Sequence, residues 1–112
     1  MSINERIGIS EKYFKMLIDI LSSVPSVEEA IVYGSRAKGN FRPFSDIDLT
    51  LKGDMLTNSD LYLLADRLYI SLLPYLFDLS IYSHLNNPAL IDHIDRRGVT
   101  IFKNSQNTSH AK

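Results

Sequence analysis

The segment from Tyr33 to Leu49, Y-G-S-R-A-K-G-N-F-R-P-F-S-D-I-D-L, constrains this chain more than any other. An apolar, strand-like run (Ala30, Ile31, Val32, Tyr33) leads into Gly34-Ser35 and a short basic turn bounded by Gly39. A Pro-containing connector follows, and then Ser45-Asp46-Ile47-Asp48-Leu49. Backbone N–H groups of a Gly-Ser turn that opens a helix can hold phosphate oxygens. Two carboxylates at i and i+2 on a strand can hold hard cations beside them. The order therefore suits a phosphate chain and its metal ions, and the remaining segments read as scaffold.

That scaffold is legible in sequence order. Residues 1–9 are expected to be a frayed or partner-dependent start. Ser10 suits a helix N-cap, and Phe14, Leu17, Ile18 and Leu21 follow at helical spacing. Pro25 disfavours helical geometry just before it, so this helix should end near Ser22-Ser23. Residues 28–33 read as a strand covered on both faces, and Ser35 to Lys38 as a single helical turn. In 46–52, Ile47, Leu49 and Leu51 point one way and Asp46, Asp48 and Thr50 the other. Thr57 to Asp60 resembles a capping box and opens a helix with Leu61, Leu64, Ala65, Leu68 and Leu72 on one stripe, closed by Pro74. Residues 77–82 alternate again, with Phe77, Leu79 and Ile81 inward. Asn87 caps a third long helix with Pro88 at its first position; Gly98 ends it and residues 99–102 close the sheet. The order predicts an α/β (α+β) domain over residues 1–103, a sheet backed by helices, with a disordered tail at 104–112.

Composition narrows the chemistry. The chain has 112 residues, 45% apolar and 22% charged, which suits one soluble domain with one core. A formal net charge of −1 gives no global basic field for bulk nucleic-acid binding. Polyphosphate must instead meet local charge, which Arg36, Lys38 and Arg42 supply beside Gly34-Ser35. The absence of cysteine removes disulfides, thiolate metal sites and cysteine nucleophiles. Charges throughout residues 1–20 leave no signal-peptide core, and the apolar run 72–77, broken by Pro74, is too short to span a bilayer. A cytoplasmic location is the default expectation.

Asp46 and Asp48, two residues apart on a strand, have Cα atoms roughly 6.6 Å apart on one face. Asp78 falls on the polar face of a second alternating strand. If the two strands pair, it lies about 4.8 Å away and three carboxylates share one patch. Like charges so close raise one another's pKa, and bound divalent ions reverse that balance. Two readings stand for Arg36, a phosphate contact or a solvated turn cation, with phosphate preferred for its place after Ser35. Two also stand for Ser45, a substrate contact or a residue that orders the turn. His84, His93 and His110 show no ligand spacing and read as surface residues.

G-S-R-A-K-G-x5-S-D-I-D-L resembles the signature of the polymerase-β-type nucleotidyltransferase superfamily, and the short domain is similar to its minimal nucleotidyltransferases. The resemblance spans about residues 10–103. It implies that Gly34 and Ser35, with Arg36 and Ser45 as further candidates, bind the nucleotide. It also implies that Asp46, Asp48 and Asp78 are the catalytic, metal-binding carboxylates, with two Mg2+ ions expected and Mn2+ as the alternative. Many relatives have Arg where this chain has Lys38, which replaces a bidentate fork by a point charge. The implied activity is transfer of a nucleoside monophosphate from an NTP, expected to be ATP, to a hydroxyl. Minimal members often pair with a small helical toxin of the HEPN type, so the acceptor is expected on such a partner, most readily a tyrosine. Two alternatives remain open: an antitoxin that only binds and masks its partner, and transfer to a small-molecule hydroxyl. The short chain speaks against the second, because larger relatives carry an added domain for that acceptor. A homo-oligomer is compatible with the sequence.

Overall fold

A computed structural model of the chain describes residues 1–104. In chain order the elements are α1 (Ile3–Arg6), α2 (Glu11–Ser22), β1 (Glu29–Tyr33), α3 (Ser35–Lys38) and β2 (Ile47–Lys52). There follow α4 (Asn58–Ile70), β3 (Phe77–Ile81), a 3₁₀ turn (Tyr82–His84), α5 (Pro88–Arg97) and β4 (Val99–Lys103). The four strands form one mixed sheet in the order β3-β2-β1-β4. β1 runs antiparallel to both β2 and β4, while β2 and β3 are parallel and joined through α4. A parallel pair needs such a crossover, because a tight hairpin cannot reverse the chain twice.

The caps form where the side chains dictate. Ser10 accepts the Tyr13 N–H at the start of α2. Thr57 and Asp60 close a reciprocal capping box on α4. Asn87 accepts the Ala89 and Leu90 N–H groups ahead of α5, whose first residue is Pro88. Each bond satisfies an N–H that the first helical turn leaves without a carbonyl.

The core lies on one face of the sheet. Ala30 and Val32 of β1 and Ile47, Leu49 and Leu51 of β2 pack against Leu17 and Leu21 of α2 and Leu64 and Leu68 of α4. The opposite face is divided. On the β1 side, Ile31 and Tyr33 are covered by Ile94 of α5, with Tyr82, Leu85 and Leu90 around them. On the β2–β3 side the polar residues remain, Thr50 buried and hydrogen-bonded to the Ser80 hydroxyl (2.9 Å), Asp48 half-buried and Asp78 exposed. Both faces of β1 are thus covered, whereas on β2 and the edge strand β3 this face is only partly covered, with Asp48 half-buried and Asp78 exposed.

Two expectations need correction. Residues 1–9 are not a frayed start. Ser2 and Glu5 form a capping box on α1, Gly8 turns the chain at φ +75°, and Ile7 and Ile9 are buried in the core. Leu72 does not continue the α4 stripe either. The helix ends at Ile70, Leu72 takes φ +61° and is 85% exposed, and Leu73 turns inward instead. Pro74 disfavours the helical region for Leu73, so the chain leaves the helix early. The expected tail lies outside the described residues except for Asn104, whose N–H donates to the Glu28 carbonyl (2.8 Å) beside β4.

Candidate nucleotide and metal site

Register places the candidate carboxylates. Tyr33 on β1 stands opposite Asp48 on β2, and Asp48 opposite Asp78 on β3, so the three form one row across the sheet. Asp46 precedes β2 and is exposed. Asp48, nearest the covered half of the face, has its carboxyl raised above the usual range. Burial is the main cause, followed by the charges of Asp78 and Asp46. The Tyr33 phenol is also raised, first by burial, while a hydrogen bond with Ser80 lowers it and Asp48 and Asp78 add to the rise.

The donor set, Asp48 and Asp78 on paired strands and Asp46 just ahead of β2, suits a hard divalent cation. Among the described residues no three His, Cys, Asp or Glu groups are gathered closely enough to hold a metal ion as they stand. The backbone register sets Asp48 and Asp78 side by side, as such a site requires.

Gly34 joins the row to α3. Its φ of +74° and ψ of −148° lie in a region that side chains avoid. A Cβ there would sit 2.2 Å from Asp48 Oδ2, so only glycine lets the turn pass against the carboxylate. Its carbonyl accepts the Ala37 and Lys38 N–H groups (both 3.1 Å), which winds α3. Ser35 and Arg36 open that turn, and their N–H groups have no intrahelical carbonyl ahead of them. Lys38 is exposed at its end.

The Arg36 side chain lies inside the fold as a structural tie. It is fully buried, and its guanidinium donates five hydrogen bonds, all to backbone carbonyls. Nε and Nη2 reach Ser45 O (3.1 and 2.7 Å), and Nη2 also reaches Pro43 O (3.1 Å). Nη1 reaches Ile7 O (2.9 Å) and Gly8 O (3.3 Å). Phe41 and Tyr75 flank the guanidinium, each ring centroid 5.2 Å from Cζ. Nothing is left to donate to phosphate. Ser45 belongs to the same device: its hydroxyl accepts the Arg42 N–H (2.8 Å) and its carbonyl accepts Arg36.

One residue at the site escaped the sequence reading. His93 is half-buried, with Nε2 accepting the Gly34 N–H at 2.9 Å and its ring set edge-on to Tyr33 (6.2 Å, 72°). The signal was its place three residues after Leu90 and beside Ile94, on the stripe of α5 that faces the sheet. His84 is exposed as expected, and His110 lies outside the described residues.

Residues 15–107 match the Polymerase beta, Nucleotidyltransferase family. The chain belongs to that family. The fold agrees with that of solved structures at low identity. A toxin–antitoxin complex with AMP-PNP contains a chain 22% identical, with a TM-score of 0.64 over 87% of this chain and 78% of that one. The complex of tri-AMPylated Shewanella oneidensis HEPN toxin with MNT antitoxin gives 20% identity and a TM-score of 0.61, covering 89% and 77%. The MntA–HepT toxin–antitoxin structure gives 19% and 0.60, covering 90% and 79%. Among curated proteins no sequence match is found. Among the described residues no helix is long and apolar enough to cross a membrane.

Proposed function

We propose that this nucleotidyltransferase domain takes ATP and transfers its AMP moiety to a hydroxyl of a small helical partner of the HEPN type, thereby acting as an antitoxin. The observation that carries the reading is the parallel register that sets Asp78 opposite Asp48, with Gly34 packed against the Asp48 carboxylate. A phosphate chain on the α3 turn then lies beside the carboxylate row, which is the proximity that in-line displacement at the α-phosphorus requires. Asp46, Asp48 and Asp78 would hold the divalent metal, with magnesium expected. When bound, that ion neutralises the triphosphate and lowers the pKa of an acceptor hydroxyl. The Ser35 hydroxyl and the N–H groups of Ser35 and Arg36, at the start of α3, would take the phosphates, and Asp78, exposed at the sheet edge, stands where an acceptor can approach.

The acceptor class is supported by the tri-AMPylated toxin named in one similar complex, and the nucleotide by the AMP-PNP named in another. The partly covered β2–β3 face is consistent with an acceptor brought by a second protein, since such a surface supplies binding energy in trans. A second reading keeps the pairing and drops the chemistry. It rests on the toxin–antitoxin complexes in which the similar chains are found.

Intact-mass spectrometry of a co-expressed helical partner separates the two. The expected result is a gain of one or more AMP units, lost with Asp48→Asn. A partner that is neutralised yet unmodified favours masking alone.

A further inference from the structure

We propose that His93 is a positioning residue for the phosphate turn, its Nε2 lone pair fixing the direction of the Gly34 N–H and with it the start of α3. The inference rests on the nucleotide reading above and adds a residue to it. Gly34 is held from two sides. Its N–H is taken by an imidazole 59 residues away (2.9 Å), and its Cα lies so close to Asp48 that a Cβ would reach 2.2 Å from the carboxylate. The peptide plane between Tyr33 and Gly34 is therefore fixed just where β1 hands over to α3. A hydrogen bond to a ring anchored on α5 sets that plane in one orientation, which a water molecule in its place would not.

The anchor is itself rigid. His93 stands next to Ile94, buried against Ile31 and Tyr33, and its ring lies edge-on to Tyr33 at 6.2 Å. Because Gly34 N–H is the donor, Nε2 must be the unprotonated nitrogen and Nδ1 carries the ring proton. One consequence concerns the ligand. With its N–H committed to His93, Gly34 contributes shape and not a donor, so the triphosphate is left to the Ser35 hydroxyl and the N–H groups of Ser35 and Arg36. His93 acts through Gly34 and does not touch the phosphates.

Three measurements on the full chain test this. In 15N-labelled protein, a scalar coupling across the hydrogen bond should link the Gly34 amide nitrogen to His93 Nε2, and the ring nitrogens should report the Nδ1–H tautomer. Binding of magnesium α,β-methylene-ATP is measured by calorimetry for wild type, His93→Phe and His93→Gln, alongside melting curves. His93→Phe keeps a ring against Tyr33 but offers no acceptor, and its affinity should fall roughly tenfold while the protein stays folded. His93→Gln offers a carbonyl oxygen and should recover most of that loss. Wild-type affinity in His93→Phe, or no coupling in the folded wild type, overturns the inference. No nucleotide binding by wild type overturns the functional reading and this inference with it, whereas a missing coupling alone counts against His93 only.

Discussion

Removing the Arg36 side chain should unfold the region around the site well before it touches the chemistry. In Arg36→Ala, the carbonyls of Ile7, Gly8, Pro43 and Ser45 lose their donors at once, and the space between Phe41 and Tyr75 is emptied. An unsatisfied buried carbonyl costs about 1–3 kcal/mol. Water can reach some of the four, because Pro43 lies on an exposed loop while Ile7 is buried in the core. The net loss should therefore be about 3–5 kcal/mol, the cost of one or two dry carbonyls together with the packing lost when a large buried side chain is truncated. At about 4 °C per kcal/mol for a domain of this size, the melting temperature should drop by roughly 12–20 °C. Arg36→Lys, with three donors and no planar fork, should lose about half as much. Differential scanning calorimetry of the metal-free and nucleotide-free proteins reads this directly. If Arg36→Ala melts within about 2 °C of wild type but binds nucleotide weakly, the guanidinium is a phosphate ligand after all and the structural reasoning is wrong.

The other predictions concern the carboxylate row and two backbone positions. Because its folded pKa is raised, Asp48 favours the folded state at low pH, and that contribution is lost as pH rises through the raised value. Asp48→Asn should therefore melt above wild type at pH 7 in chelator, with the gap closing as pH falls from the raised value to the ordinary carboxylate value of about 4; a lower melting temperature at pH 7 would contradict the argument from burial and repulsion. Gly34→Ala, forced to φ +74° with its Cβ against Asp48, should cost at least about 1–3 kcal/mol and abolish nucleotide binding, checked by denaturant unfolding and calorimetry. Leu72→Gly should be neutral or stabilising by up to about 1 kcal/mol in the same unfolding assay, since it removes left-handed strain from an exposed side chain.

What could be read from the sequence follows from the range of the interactions. The caps at Ser10, Thr57 and Asn87 act within three residues, so they were legible. Alternation in 46–52 and 77–82 placed Asp48 and Asp78 on polar strand faces, and the observed pairing sets them side by side. Arg36 was not legible, because the carbonyls it binds at Ile7 and Gly8 lie 29 and 28 residues away and only the folded chain brings them to it. His93 was hidden for the same reason: a single polar residue on an apolar stripe gives no sign of the glycine N–H it meets across the fold. α1 is one turn long, too short for periodicity to register, and its stability comes from Ile7 and Ile9 in the core. The end of α4 turned on one residue, where Pro74 acts through Leu73 and leaves Leu72 outside.

The most direct test of the central claim follows the phosphorus atoms. The chain is incubated with magnesium, the co-expressed helical partner and ATP labelled at either the α- or the γ-phosphate. Nucleotidyl transfer predicts that label from the α position becomes covalently attached to the partner, that γ label leaves as pyrophosphate, and that Asp48→Asn, still folded, attaches neither. Attachment of γ label, or no attachment of α label by a wild-type protein that binds the nucleotide, contradicts the account.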